Sequence, residues 1–176
     1  MSTTTILMFH PDPSRSRANA TLAAAAAELP GVEVVDMQAL YPTGEIDVER
    51  EVARLLAAGR IVLQFPVQWY ATPPLLKAWQ DSVLTRMFYI AYEREGRALE
   101  GTPLLVAATA GNTPAAYAPT GANLFSLEEL LRPLEATAHR CGLPWSQPFL
   151  LFGANRLDAP ALAEAAGRYV ARLGMA

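Results

Sequence analysis

Ile61-Val62-Leu63-Gln64-Phe65-Pro66-Val67-Gln68-Trp69-Tyr70-Ala71-Thr72-Pro73-Pro74-Leu75-Leu76-Lys77 passes from an apolar run through a proline and an aromatic loop to a double proline. The run Arg60–Phe65 is near-continuous rather than alternating, which suits a strand buried on both faces of a parallel sheet. Pro66 cannot donate to a ladder and is expected to end that strand, with Phe65 held extended before it. The amides that follow are then expected to be free for a ligand. Proline is favoured in the first turn of a helix, so Pro74–Met87 reads as helical. Core packing does not call for Gln68-Trp69-Tyr70 at such a corner. Large aromatics at the carboxyl end of a buried strand mark the place where an α/β protein holds a planar ligand.

Further strand-like runs are Thr4–Phe9, Val32–Val35, Pro103–Thr109 and roughly Pro148–Phe152. Between them lie helical patterns at Ala18–Leu29, which stops at Pro30-Gly31, at Val48–Ala58, at Leu124–Cys141 and at Ala159–Leu173. Strand and helix alternate five times, the pattern of an α/β doubly wound parallel sheet. With no linker and no internal repeat, residues 1–176 are expected to form a single domain. The irregular stretch Ala110–Asn123 is long enough to be functional or mobile.

The chain has 176 residues, 52% apolar and 18% charged, a composition that suits a well-packed globular core. Its net charge of −3 argues against general nucleic-acid binding, which needs a basic face. Cys141 is the only cysteine, so an internal disulfide or cysteine-based zinc cluster is excluded. With only His10 and His139 besides, no transition-metal site is expected. Met1–Thr5 lacks basic residues, Ile6–Phe9 is too short for a signal core, and no run approaches a bilayer span. A soluble, cytoplasmic protein without membrane insertion is the expectation.

Two more loops look ligand-like. His10–Asn19 follows the first strand and runs into a helix that Ser16 is placed to cap. Free amides at that helix start, together with the dipole and Arg15 and Arg17, make an anion site. Neither a G-x-G-x-x-G nor a P-loop pattern is present. Thr109-Ala110-Gly111-Asn112 follows the fourth strand, and Gly111 allows close approach or positive φ. In a doubly wound sheet the loops after strands one, three and four converge near one switch point. A hydrolase built from Ser14, His10 and Asp12 is disfavoured, because the three share one short loop and lack a G-x-S-x-G turn.

The pattern His10-Pro11 with Ser16-x-x-Asn19, then Phe65-Pro66-Val67-Gln68-Trp69-Tyr70 with Pro73-Pro74-Leu75-Leu76-Lys77-Ala78-Trp79, then Ala138-x-x-Cys141-Gly142-Leu143, resembles the flavodoxin-like NAD(P)H:quinone oxidoreductase family. The similarity is strongest to its short bacterial branch, which includes the quinone-reductase ancillary proteins of glutathione-gated potassium-efflux systems. The resemblance implies a five-stranded parallel sheet of order 2-1-3-4-5 with helices on both faces. It implies FMN rather than FAD, since no extension is evident to grip an adenosine, with NAD(P)H as co-substrate and a quinone as acceptor. His10, Ser16, Arg17, Ala18 and Asn19 would surround the flavin phosphate; Pro66, Val67, Gln68 and Trp69 would contact the ring. Thr109, Ala110, Gly111 and Asn112 would hold its polar edge. A homodimer is implied, and a potassium-efflux antiporter is a possible partner, for which the chain would be a flavin-binding regulatory subunit. Of the family's assisting tyrosine and histidine, Tyr117 falls at the first position, whereas Asn123 stands at the second. The third loop, with Ala110 and Asn112, also departs from the family's Thr-Thr-Gly-Gly.

Overall fold

The computed structural model describes residues 3–174. Met1, Ser2, Met175 and Ala176, and so both ends of the expected 1–176 unit and the first residues of the expected leader-free start, lie outside the described residues. In chain order the main elements are β1 (Thr4–Met8), α1 (Arg17–Ala27), β2 (Val32–Asp36), α2 (Met37–Leu40), α3 (Val48–Ala57), β3 (Arg60–Pro66) and α4 (Pro74–Trp79). They continue with α5 (Arg97–Leu99), β4 (Leu104–Thr109), α6 (Leu127–Leu130), α7 (Arg132–Arg140), β5 (Phe149–Leu151) and α8 (Ala159–Gly174). All strand pairs are parallel and the sheet order is β2-β1-β3-β4-β5, as the resemblance implied.

Successive strand residues face opposite sides, and each side has its own core. Leu7, Leu63 and Val106 pack with Leu55 of α3, Trp79 of α4 and Leu134 of α7. Ile6, Val62 and Leu105 pack with Leu22 of α1 and Leu162 and Tyr169 of α8. A residue from each of these helices is thus buried against β3, which explains its unbroken apolar character. Under the first core sits the buried carboxylate of Glu51. It accepts hydrogen bonds from Tyr41 Oη at 2.8 Å, Trp79 Nε1 at 3.1 Å and Arg54 Nε at 3.2 Å, the partners a buried charge requires.

Three boundaries differ from the sequence expectation. Pro66 does not end β3; it pairs in register with Thr109 of β4. Its missing N–H would point toward β1, which has already ended at Met8, so no ladder bond is lost. The helix at Pro74 does not stop at Met87. After α4 it widens into i→i+5 turns over Gln80–Leu84, Arg86–Ile90 and Tyr92–Gly96 before α5. The expected helix over Leu124–Cys141 is two pieces, with α6 starting at a Ser126–Glu129 capping box. Pro133 lacks the N–H that would continue α6 through Glu129, and α7 restarts around it.

Candidate functional site

β1 and β3 are neighbours whose connections leave in opposite directions, so a crevice opens at their carboxyl ends. The loop after β1 begins with Phe9 N–H donating to Gln64 O at 2.8 Å and makes a short turn at Pro13–Arg15. Ser16 Oγ then accepts from Asn19 N–H at 3.1 Å and caps α1. The amides of Arg17 and Ala18, just inside the helix, donate to nothing among the described residues. With the Arg15 and Arg17 side chains beside them they border a cavity of about 500 Å3 that His10, Ser16, Asn19, Pro66, Gln68 and Thr109 also line. Unpaired donors at the positive end of an 11-residue helix make this end of the cavity an anion site.

His10 stands at its edge. Asp12 N–H donates to its Nδ1 at 3.1 Å, so Nδ1 is an acceptor and Nε2 carries the proton. Partial burial lowers its pKa, against the pull of the Asp12 charge.

The floor of the cavity is a buried polar chain. Asn19, 2% exposed, donates through Nδ2 to Thr109 Oγ1 at 2.9 Å. Gln64, wholly buried in mid-strand, donates through Nε2 to Asn19 O at 2.9 Å and accepts from Tyr169 Oη at 3.1 Å. Asn19 and Thr109 therefore act chiefly on one another, joining α1 to β4, while Gln64 and Tyr169 join β3 to α8. Neither Gln64 nor Tyr169 was expected from the sequence, although a glutamine inside an otherwise apolar strand was the visible signal.

After Pro66 the amides are not free as expected. Val67 N–H donates to Thr109 O at 2.8 Å, and Gln68 and Ala71 exchange two hydrogen bonds of 3.0 Å. That reciprocal pair encloses a two-residue hairpin tip, Trp69 at φ 46° and Tyr70 at φ 65°. Such a tip favours Asn-Gly, because bulky residues with positive φ are strained by about 1–3 kcal/mol each. Trp69 is 92% exposed and its own amide is unpaired. The hairpin is also a partition. Pro66 and Gln68 face the anion cavity, whereas Val67 and Tyr70 line a second, apolar cavity of about 540 Å3 with Leu84, Phe88 and Leu134.

In the third loop, Ala110 is buried, donating to Leu151 O at 2.8 Å and accepting from Ala154 N–H at 3.0 Å. Gly111 is required by a neighbour and not by positive φ, since a Cβ there would meet Asn155 Nδ2 at 3.0 Å. Asn112 O accepts from Gly153 N–H at 2.9 Å. Among the expected site residues, Val67, Trp69, Ala110, Gly111, Asn112 and Tyr117 do not line the anion cavity, whereas Ala154 and Asn155 of the unexpected loop after β5 do. The Gly153-Ala154-Asn155 turn at a strand's carboxyl end was the signal for them.

Beyond Asn112 the chain is internally bonded. Asn123 N–H donates to Ala116 O at 2.9 Å, and Gly121 packs so tightly that a Cβ would sit 2.4 Å from Ala116 O. Tyr117 stacks on Phe152 with centroids 5.6 Å apart. Burial, helped by the nearby Tyr70, raises its pKa and keeps its hydroxyl a donor. Tyr70 Oη donates to Asn123 Oδ1 at 3.4 Å.

Residues 2–173 match the model of the family described as flavodoxin-like fold. The chain is 40% identical over 167 residues to the NAD(P)H oxidoreductase YdeQ of Bacillus subtilis, covering 95% of this chain and 84% of that protein. It is 39% identical over 168 residues to the glutathione-regulated potassium-efflux system ancillary protein KefF of Klebsiella pneumoniae, covering 96% and 93%. A solved structure of general stress protein 14 from Treponema denticola, in complex with FMN, aligns with TM-score 0.88 at 34% identity and 98% coverage of both chains. A structure named as a thermophilic tryptophan halogenase from Streptomycin violaceusniger aligns with TM-score 0.91 at 36% identity, covering 98% of this chain and 99% of that one.

Proposed function

The chain belongs to the flavodoxin-like fold family, and on that premise we propose that it is a flavin-dependent NAD(P)H:quinone oxidoreductase. The observation that carries this reading is the cavity at the β1/β3 crevice, where unpaired amides of Arg17 and Ala18 and two arginines meet the Pro66–Gln68 wall. A phosphate fits the first and a planar ring the second, which is the chemistry of FMN. The FMN complex of the Treponema denticola protein supports the same cofactor.

Bound there, the flavin supplies two-electron transfer between a nicotinamide and a quinone. The protein's part is to bind and orient. Arg17, Ala18, Ser16 and His10 Nε2–H hold the phosphate, over the floor made by Asn19 and Thr109. Pro66, Val67 and Gln68 form the wall against the ring, with Trp69 free to cover a face. Gln68 cannot offer its amide, which Ala71 already holds; the unpaired amides of Trp69 and Gly111 are the donors available to negative charge on the ring. Ala110 and Asn112 fix that third loop by their backbone bonds. Tyr117, kept protonated, serves as a hydrogen-bond donor to the acceptor. Nicotinamide and quinone take turns on one face, giving ping-pong kinetics.

The exposed Tyr89, Ile90, Leu124 and Phe125, with the apolar cavity that Tyr89 lines, suit a homodimer interface. No helix among the described residues is long and apolar enough to cross a membrane, and the proposed setting is the cytoplasm. The KefF similarity favours a second reading, in which the chain is the flavin-binding regulatory subunit of a potassium-efflux antiporter at the inner face of the membrane.

A visible spectrum of purified protein, mass analysis of released flavin and an NAD(P)H–menadione assay test the first reading. Bound FMN with menadione turnover is expected. A colourless protein that takes up no flavin overturns it, as does bound flavin that halogenates tryptophan and leaves menadione untouched. Robust turnover with empty antiporter pull-downs would dispose of the second.

A further inference from the structure

The aromatic tip Trp69-Tyr70 is the most strained exposed segment described, and a conformation of that kind persists only where surrounding contacts impose it. The reciprocal Gln68–Ala71 bonds close the turn but do not fix where its side chains lie. One contact does reach the tip from elsewhere, the bond from Tyr70 Oη to Asn123 Oδ1 at 3.4 Å. Asn123 is itself anchored by its bond to Ala116 O, within a loop packed too closely to take a Cβ at Gly121. Tyr117, on the same loop, stands close enough to Tyr70 for its ionisation to be disfavoured.

We propose that Asn123 is a positioning residue that clamps the strained hairpin through Tyr70 and so fixes the face against which the electron acceptor lies. The clamp acts through Tyr70 and carries no proton itself. It rests on the oxidoreductase reading for its consequence, though the clamp is visible without any cofactor.

The test uses the full-length protein in three single variants, Asn123→Ala, Asn123→Asp and Tyr70→Phe, and the double variant of Asn123→Ala with Tyr70→Phe. Chymotrypsin cleavage after Trp69 and Tyr70, read by mass spectrometry, should speed up at least fivefold in Asn123→Ala. The KM for menadione should rise about as much, while anaerobic bleaching of bound flavin by NAD(P)H stays within twofold. Asn123→Asp keeps the accepting oxygen and should restore both. Tyr70→Phe should resemble Asn123→Ala, and the double variant should be no worse than either. Cleavage and KM at parental values in Asn123→Ala overturn the clamp, as do effects that multiply in the double variant or an Asp that fails to rescue. If Asn123→Ala does not fold, Tyr70→Phe alone decides by the same two readouts. Failure of the oxidoreductase reading is told apart because it abolishes bleaching in the parent protein and leaves the cleavage result standing.

Discussion

The loop that begins α1 and the hairpin that follows β3 lie at one sheet edge, yet they are built on opposite plans. The first is relaxed: a capped helix start over a buried chain of Asn19, Thr109, Gln64 and Tyr169. Its ligand-facing amides are fixed because everything beneath them is satisfied. The second is strained, with two aromatics in left-handed backbone and nothing buried below Trp69. A phosphate needs a fixed electrostatic cradle, whereas a surface visited in turn by different planar molecules needs large rings held out from the core. The two plans match those two needs.

The comparison breaks most visibly at the floor. Gln64→Leu strands the Tyr169 hydroxyl and the Asn19 carbonyl in the core, and each orphaned group costs about 1–3 kcal/mol. A loss of about 3 kcal/mol is expected in urea unfolding, with weaker FMN binding. Unchanged stability would mean the chain is ornamental.

Next comes Arg17→Ala. Losing a charge-assisted contact to phosphate, about 1.5–3 kcal/mol, should raise the Kd for FMN about 10- to 100-fold. Riboflavin, which has no phosphate, should bind the variant and the parent alike. Equal losses for both ligands would place the arginine elsewhere.

The hairpin should respond in the other direction. Replacing the tip by Asn-Gly (Trp69→Asn with Tyr70→Gly) removes the strain and should stabilise the fold by about 1–2 kcal/mol while turnover with menadione falls. A less stable variant would show that the positive φ values carry no strain.

The smallest effect concerns His10. Burial holds its pKa below the ordinary value, so the free protein keeps it neutral near neutrality. A phosphate beside it raises that pKa, so the complex binds more protons than the free protein. FMN affinity should then gain about threefold relative to His10→Gln as pH falls from 7.5 to 5.5, by linkage. Parallel pH profiles in a flavin-fluorescence titration would exclude His10 from the phosphate end.

What was legible in the sequence was whatever repeats or punctuates. The alternation of apolar runs with helical patterns located every strand, because burial on two faces leaves little choice of residue. Ser16 before the Arg17 helix announced its cap and the anion site. The rest depended on non-local partners. That the Gln68 amide is taken by Ala71 follows from a turn whose type Trp-Tyr does not announce. Gln64 and Tyr169 are 105 positions apart and meet only in the fold. Asn155 reached the cavity because β5 is short and its loop turns back beside Gly111. The hinge at Leu131 was visible in Pro133, but the apolar pattern ran through it.

The wide turns between Gln80 and Gly96 have a consequence for chain length. A turn of this kind holds one residue more than an α-helical turn, so its residue count cannot change without rotation. Removing one residue around Thr85 would swing everything after it by about 100°, the angular step of a single helical residue. Met87 and Phe88 would leave the core and Tyr89 would turn inward, so single deletions there should be far less tolerated than substitutions.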